Sequence, residues 1–258
     1  MRPELELVSK GTIAVQLTDN TILITGGSSG IGLALAARLV RAGNQVIVTG
    51  RRAHLLDEVR KQLPSVVTET SDAASPSERT ALVESLTRRF PKLNVLINNA
   101  GIQRKVDFLQ SEPWEETREE VAINLEGPIH LASLLLPHLL RQPKSAIINV
   151  SSGLAFVPLA AVPVYSATKA AIHSYTLSLR YQLRDTPVEV IEVIPPAVHS
   201  NLGGKHDFGV PTDEYADSVM AQLAEGRPEI TYQFSAATSQ ASRAELDAMF
   251  TRLNAPRT

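Results

Sequence analysis

Along most of the chain, short β-branched runs alternate with longer segments of helical period, and this alternation constrains the fold more than any other feature. Residues 21–25 (TILIT), 45–49 (QVIVT), 65–70, 94–97 (NVLI), 146–150 (AIINV), 188–194 and 229–232 are strand candidates. Between and after them, residues 31–42, 54–63, 77–90, 115–140, 163–184 and 213–225 carry helical patterns. Pro64 ends the second of these helices, Pro76 opens the third and Pro91 follows it, as expected where a missing N–H is harmless or a helix must stop. The long segment 115–140 should be broken or bent around Gly127-Pro128 and Pro137. Strands that are apolar almost throughout, alternating with helices, predict a parallel sheet covered by helices on both faces. Residues 1–19 read as an extension before the first core strand, and 20–258 as one domain without a linker or repeat. Near the end, residues 235–243, rich in Ser, Ala and Thr, read as a mobile stretch before a last helix near 244–253.

A chain of 258 residues can bury enough apolar surface to need no staple. It has no cysteine, which excludes disulfides, thiolate metal sites, iron–sulfur clusters and a cysteine nucleophile, and fits a reducing, cytoplasmic setting. A net charge of −2 offers no basic field for nucleic acid. The first ten residues include Arg2, Glu4, Glu6 and Lys10, the wrong pattern for a secretory signal. Nothing between Lys144 and Lys169 carries a formal charge, a length that would span a bilayer. Asn149, Ser151, Ser152, Gly153, Pro158, Pro163 and Ser166 would strand polar groups there, so a buried strand followed by a site loop is the better reading, without a transmembrane segment. The six histidines show no metal-ligand spacing, and only His199 and His206 fall near the expected site. No G-x-S-x-G elbow is present, which argues against a serine hydrolase.

Between the first strand and first helix stands Thr25-Gly26-Gly27-Ser28-Ser29-Gly30-Ile31-Gly32. A dinucleotide pyrophosphate must lie against backbone N–H groups at a helix N-terminus, so side chains there have to be small or absent. Gly26 suits the tight turn, Gly30 the approach of the phosphates, and Gly32 close packing of helix on strand. The spacing is G-x-x-x-G-x-G, and alone it is a weak signal whose bland alternative is a flexible loop. At the end of the second strand an NAD site would place a carboxylate for the ribose 2′-OH. This chain has Gly50, then Arg51 and Arg52, guanidiniums suited to a 2′-phosphate. Arg51 favours NADP(H); Arg52 serves equally well as the opening of a solvated helix.

Tyr165 and Lys169, four apart on a predicted helix, share one face. A phenol is a poor base at neutral pH, and a neighbouring ammonium should lower its pKa. Ser152 lies 13 residues before Tyr165, just past a strand end where open α/β sheets bind ligands, and its hydroxyl suits a carbonyl oxygen gaining negative charge. Ser151 is an alternative for that role.

Taken together, TGGSSGIG, Asn98-Asn99-Ala100-Gly101, Asn124, Ser152 and Tyr165-Ser166-Ala167-Thr168-Lys169 resemble the classical short-chain dehydrogenases/reductases over roughly residues 17–232. Residues 150–158 (VSSGLAFVP) and 195–198 (PPAV) most resemble the DltE-like oxidoreductases within that family. The resemblance implies a single-domain Rossmann-type fold, a doubly wound parallel sheet of about seven strands. It implies that Tyr165 exchanges a proton with a ketone or aldehyde oxygen while nicotinamide exchanges a hydride with its carbon. Lys169 would lower the Tyr165 pKa and bond the nicotinamide ribose, Ser152 would orient the carbonyl, and Asn124 would hold a relay water. Gly26, Ser28, Ser29, Gly30, Ile31 and Gly32 would cradle the cofactor, with Asp72 near the adenine unless it is an ordinary loop residue. Residues 98–101 would brace the sheet beside the cofactor, Asn98 close to the adenosine ribose and Ala100 and Gly101 next to it. Pro195, Val198 and Ser200 would meet the nicotinamide end, although Pro196 replaces the family's usual Gly and removes a donor. Residues 200–211, with Gly203, Gly204 and Gly209, occupy the position of a substrate lid.

Leu154, Phe156, Val157 and Leu159 would line the substrate cleft or pack beneath that lid. A cleft so lined suits an apolar small-molecule carbonyl or alcohol, and an NADP(H) site suits reduction. The family also implies a homodimer or homotetramer built on the faces of 115–140 and 163–184. The rival reading from another class is a dinucleotide-binding scaffold that has lost turnover.

Overall fold

The structure, a computed structural model, describes residues 17–110, 114–204 and 208–256. All but residues 17–19 of the expected N-terminal extension, together with His206, lie outside the described residues. In chain order the elements are β1 Thr21–Thr25, α1 Gly30–Arg41, β2 Gln45–Gly50, α2 Ala53–Gln62, β3 Val67–Thr70, α3 Pro76–Arg89 and β4 Leu93–Asn98. Then come α4 Trp114–Val121, α5 Gly127–Leu139, β5 Ser145–Val150, α6 Pro163–Leu183, β6 Val188–Ile194, α7 Thr212–Ala224, β7 Glu229–Thr231, α8 Phe234–Ser239 and α9 Arg243–Leu253.

The seven strands form one sheet in the order β3-β2-β1-β4-β5-β6-β7, every neighbouring pair parallel. The strands are apolar on both sides because both sides are covered. Ile22, Ile24, Val46 and Val48 face one core with Leu35 and Leu39 of α1 and Tyr215 and Val219 of α7. Leu23, Ile47, Leu96 and Ile147 face the other, against Leu82 and Leu86 of α3 and Leu131 and Leu135 of α5. This is the Rossmann-like, doubly wound arrangement expected. Strand order reverses between β1 and β4, which opens a crevice beyond their carboxyl ends. A buried cation ties the outer layer: Arg38 of α1 bonds Asp217 at 2.6 Å and Asp213 at 3.0 Å on α7.

Two expectations change. The break in 115–140 is a π-helical turn, Ala122–Glu126, between α4 and α5, while Pro137 is accommodated inside the last turn of α5. The stretch 235–243 is not a loose tail: its first half forms α8, with Ser235 and Thr238 buried. Small polar side chains let this helix sit close to the protein, and Ser235 Oγ accepts from Tyr232 N–H at 2.9 Å. Among the described residues no helix is long and apolar enough to cross a membrane.

Candidate active site

The glycine turn approaches β4 so closely that side chains are excluded. Gly26 holds φ +65°, and a Cβ there would lie 2.8 Å from Ala100 Cα. On Gly32 it would lie 2.4 Å from Asn99 Nδ2 and 2.6 Å from the Gly26 carbonyl. Asn99, not singled out from the sequence beyond its place in the motif, locks the turn: its Nδ2 donates to the Thr25 carbonyl at 2.9 Å and that of Gly26 at 3.1 Å. Thr25 Oγ1 accepts from the N–H groups of Asn99 and Ala100, both at 3.0 Å. Ser29 begins α1 in extended conformation without a side-chain cap, which leaves Ile31 and the rest of the first turn clear of side-chain acceptors of its own. Ser28 stands against Gly50 at the end of β2, and Ser200 against Gly30. The cradle fits a dinucleotide diphosphate.

Arg51 follows β2 with no carboxylate in the position a ribose 2′-OH would need. Its Nη1 donates to Glu119 Oε1 of α4 at 2.6 Å, and Arg104 also bonds Glu119. These two guanidiniums hold the Glu119 carboxyl below the usual carboxylate range. Arg52 occupies the N-cap of α2, its carbonyl accepting from Leu55 and Leu56, in line with its helix-opening role. Asp72 Oδ1 accepts from Ala74 N–H at 2.9 Å, an ordinary Asx turn. Asn98 is buried, with its amide donating to Asn149 Oδ1 at 2.9 Å, so its side chain braces the interior.

At the carboxyl end of β5, Ser152 Oγ accepts from Leu154 N–H at 3.1 Å, capping the 3-10 turn Gly153–Ala155. The neighbouring Ser152 hydroxyl favours the Tyr165 phenolate. Burial outweighs it: the Tyr165 phenol is pushed up to about 12, with Glu120 adding to the rise. Lys169, one helical turn on, donates to the Val150 carbonyl at 2.7 Å and lies 5.6 Å from the Tyr165 ring centroid. Burial pulls the ammonium down to about 8, opposed by Glu192 and Glu120. The expected lowering of Tyr165 by Lys169 is therefore not what the protein's own groups produce. Desolvation dominates both.

Asn124 lies in the π-helical turn, a distortion that frequently marks functional positions. Its amide exchanges bonds with Ile102, Nδ2 to the carbonyl at 2.8 Å and Oδ1 from the N–H at 2.9 Å, and donates to Thr168 at 3.3 Å. Gly101 sits between Asn124 Oδ1 and Lys169 Nζ, which a Cβ would meet at 3.4 and 3.7 Å. The Pro195 carbonyl accepts from Gly153 N–H at 2.8 Å, fixing β6 to the Ser152 loop. Val198 pairs with Val210 in a parallel bridge that closes the base of the 200–211 segment. Gln103 packs against Gly203 of that segment.

Of the residues expected to line a substrate cleft, Val157 is wholly buried, Phe156 meets His173 edge-on at 4.6 Å, and Leu154 and Leu159 are half-buried. The structure adds Phe234 of α8, packed on Gly153 beside Ser152. It also brings His173, Glu120 and Glu192 to the neighbourhood of Lys169, none of which the sequence reading placed there. A groove of about 380 Å³ along the outer face of α1 meets the site only at Gly30 and Ser200, so it is not the catalytic crevice. No group of His, Asp or Glu suited to a metal occurs among the described residues.

The family model for short chain dehydrogenase matches residues 20–207. The uncharacterized oxidoreductase DltE of Bacillus subtilis is 46% identical over 248 residues, 93% of this chain and 98% of that protein. An uncharacterized oxidoreductase of Staphylococcus saprophyticus is 35% identical over 202 residues, 76% of this chain and 85% of its own. Among solved structures, a short chain dehydrogenase from Burkholderia cenocepacia in complex with NADP superposes with TM-score 0.81 at 27% identity, covering 93% of this chain and all of that one. A 3-ketoacyl-(acyl-carrier-protein) reductase from Brucella melitensis complexed with NADH superposes with TM-score 0.74 at 26% identity, covering 86% and 95%.

Proposed function

The chain belongs to the short-chain dehydrogenase family of oxidoreductases, and on that premise we propose that it reduces a ketone or aldehyde to the alcohol with NADPH, Tyr165 acting as the acid. The observation that carries this reading is the buried Ser152–Tyr165–Lys169 cluster set across Gly101 from the glycine turn. A bound nicotinamide would supply the hydride. The chain's part is to hold the carbonyl and deliver a proton. Ser152 is placed to bond the substrate oxygen and to keep the Tyr165 hydroxyl aimed at it. A phenol held near 12 carries its proton throughout the neutral range, the starting state that carbonyl reduction requires. Lys169, 5.6 Å from the ring centroid, would set its charge beside the phenolate formed once that proton has left, and Asn124, buried beside Gly101, is assigned to the relay that reprotonates it. Half-buried Leu154, Phe156 and Leu159 favour an apolar substrate.

The preference for NADPH rests on Arg51 and on the missing carboxylate after β2. The relatives of known structure include complexes with either cofactor. Exposed Trp114 on α4 and Leu177 and Tyr181 on α6 support a homodimer or homotetramer through these helices, which light scattering would register. The decisive test is nucleotide titration followed by a carbonyl panel. NADPH should bind at least tenfold more tightly than NADH, a difference of about 1.4 kcal/mol. Arg51→Ala should remove that difference, and Tyr165→Phe should abolish turnover while leaving NADPH binding intact. Equal affinity for the two nucleotides would overturn the NADPH assignment, and undiminished turnover in Tyr165→Phe would overturn the role of the phenol.

A further inference from the structure

On the face of the sheet that α6 covers, Asn149 and Glu192 stand in register on β5 and β6. Asn149 Nδ2 donates to Thr176 Oγ1 of α6 at 3.0 Å, and His173 Nδ1 meets Glu192 Oε2 at 2.9 Å. Lys169, His173 and Thr176 recur at spacings of four and three residues, so one stripe of α6 lies over this seam. The interior of a parallel sheet is ordinarily apolar, so a polar seam beneath the helix carrying Tyr165 calls for a cause. Glu192 is its least favourable member. Its side chain is fully buried, and Oε1 has no hydrogen-bond partner among the described residues. A carboxylate serving only as a clamp between β6 and α6 would be expected to satisfy both oxygens, because an unmet one in the interior is strongly disfavoured. Ser151, two residues beyond Asn149 and thus on the same face, also has a buried Oγ without a partner among the described residues. His173 is 22% exposed and connects the seam to the surface, its ring resting against Phe156 in the loop after Ser152.

We propose that Glu192, acting with His173, is a positioning residue for Lys169: the buried carboxylate is the counter-charge that keeps the ammonium protonated beneath the site, and the imidazole transmits solvent pH to it. This rests on the place given above to Lys169 in the reaction. The charged groups facing Lys169 are Glu192 from β6 and Glu120 from α4, both favouring its charged form against burial. Those facing His173 are Glu192 from β6 and Glu229 from β7, which favour the imidazolium, and Arg180 on α6, which opposes it. The His173 pKa accordingly stands above its ordinary value, the hydrogen bond to Glu192 being the largest cause. While His173 is charged, it screens Glu192. As pH rises and His173 gives up its proton, Glu192 faces Lys169 unscreened, and the ammonium is held more firmly when solvent would otherwise strip it. The pair therefore extends the range over which Lys169 stays charged.

The test is the titration of Lys169 itself, followed by NMR in full-length protein labelled with ε-¹³C lysine, with Lys169→Met identifying the resonance. No turnover is needed for this readout. Glu192→Gln should lower the Lys169 midpoint by about one pH unit, the smaller end of the shift an opposite charge produces at close range. His173→Arg keeps a positive charge beside Glu192 through the whole range in which Lys169 titrates, so the carboxylate stays screened and the midpoint should fall. If Glu192→Gln does not fold, His173→Arg decides alone: a fall supports the proposal, and an unchanged or higher midpoint overturns it. A Glu192→Gln protein that folds and titrates like the wild type also overturns it. In an active enzyme the alkaline limb of kcat should move with the NMR midpoint. A shift of that midpoint in a protein that reduces no carbonyl would leave the pair standing and remove only the reaction assigned above.

Discussion

At the residue scale, the glycine turn separates positions that are merely small from those that must be. A methyl group on Gly32 would meet the Gly26 carbonyl at 2.6 Å, and a backbone atom has little freedom to yield. Gly32→Ala should therefore destabilise the protein by about 1–3 kcal/mol, the usual cost of overpacking, and weaken nucleotide binding as the turn moves. Urea unfolding and NADPH titration check both effects, and a variant matching the wild type in each would refute the close-packing account. The tight turn at Gly26 and the close packing at Gly32 were readable from their place between strand and helix. The Asn99 lock was legible only as part of a motif, because its partners, Thr25 and Gly26, lie more than seventy residues away.

At the element scale, strands buried on both faces announced themselves as apolar runs, and every strand core was found within a residue or two of its expected limits. Helix α8 was missed for the opposite reason. Its contacts are made by small polar side chains, Ser235 and Thr238, in a segment whose composition resembles a loop. The Glu192–His173 pair was hidden in another way: it depends on the packing of α6 over β6, and no local spacing encodes that. Helix α9 shows how an element with no buried residue can still serve the site. Asn254 at its C-cap accepts from Ala160 N–H at 2.6 Å and donates to the Pro158 carbonyl at 3.1 Å, holding the loop between Ser152 and Tyr165. Asn254→Ala should raise KM for the carbonyl substrate about fivefold, as loss of a hydrogen bond or two suggests, with NADPH affinity unchanged. Steady-state kinetics in both substrates would show whether the change stays confined to the carbonyl.

At the scale of the whole molecule, the site is held against a cost in stability. Lys169 falls from an ordinary 10.5 to about 8 in the folded protein. Between those values the unfolded chain binds more protons than the folded one, so stability should rise with pH across that window, by on the order of 3 kcal/mol in total. Below pH 8 the full penalty applies. Urea unfolding from pH 7.5 to 10.5 should show this slope in the wild type and lose it in Lys169→Met; equal slopes would mean that burial of the ammonium is offset elsewhere. The opposite economy governs the 200–211 segment. Because Val198 and Val210 are already joined, the two stems of that segment are brought together by the framework, independently of what lies between them. Closing a longer or shorter connection across such a base costs little additional entropy. The connection beyond that bridge can thus be shortened, lengthened or exchanged while the scaffold on either side keeps its shape.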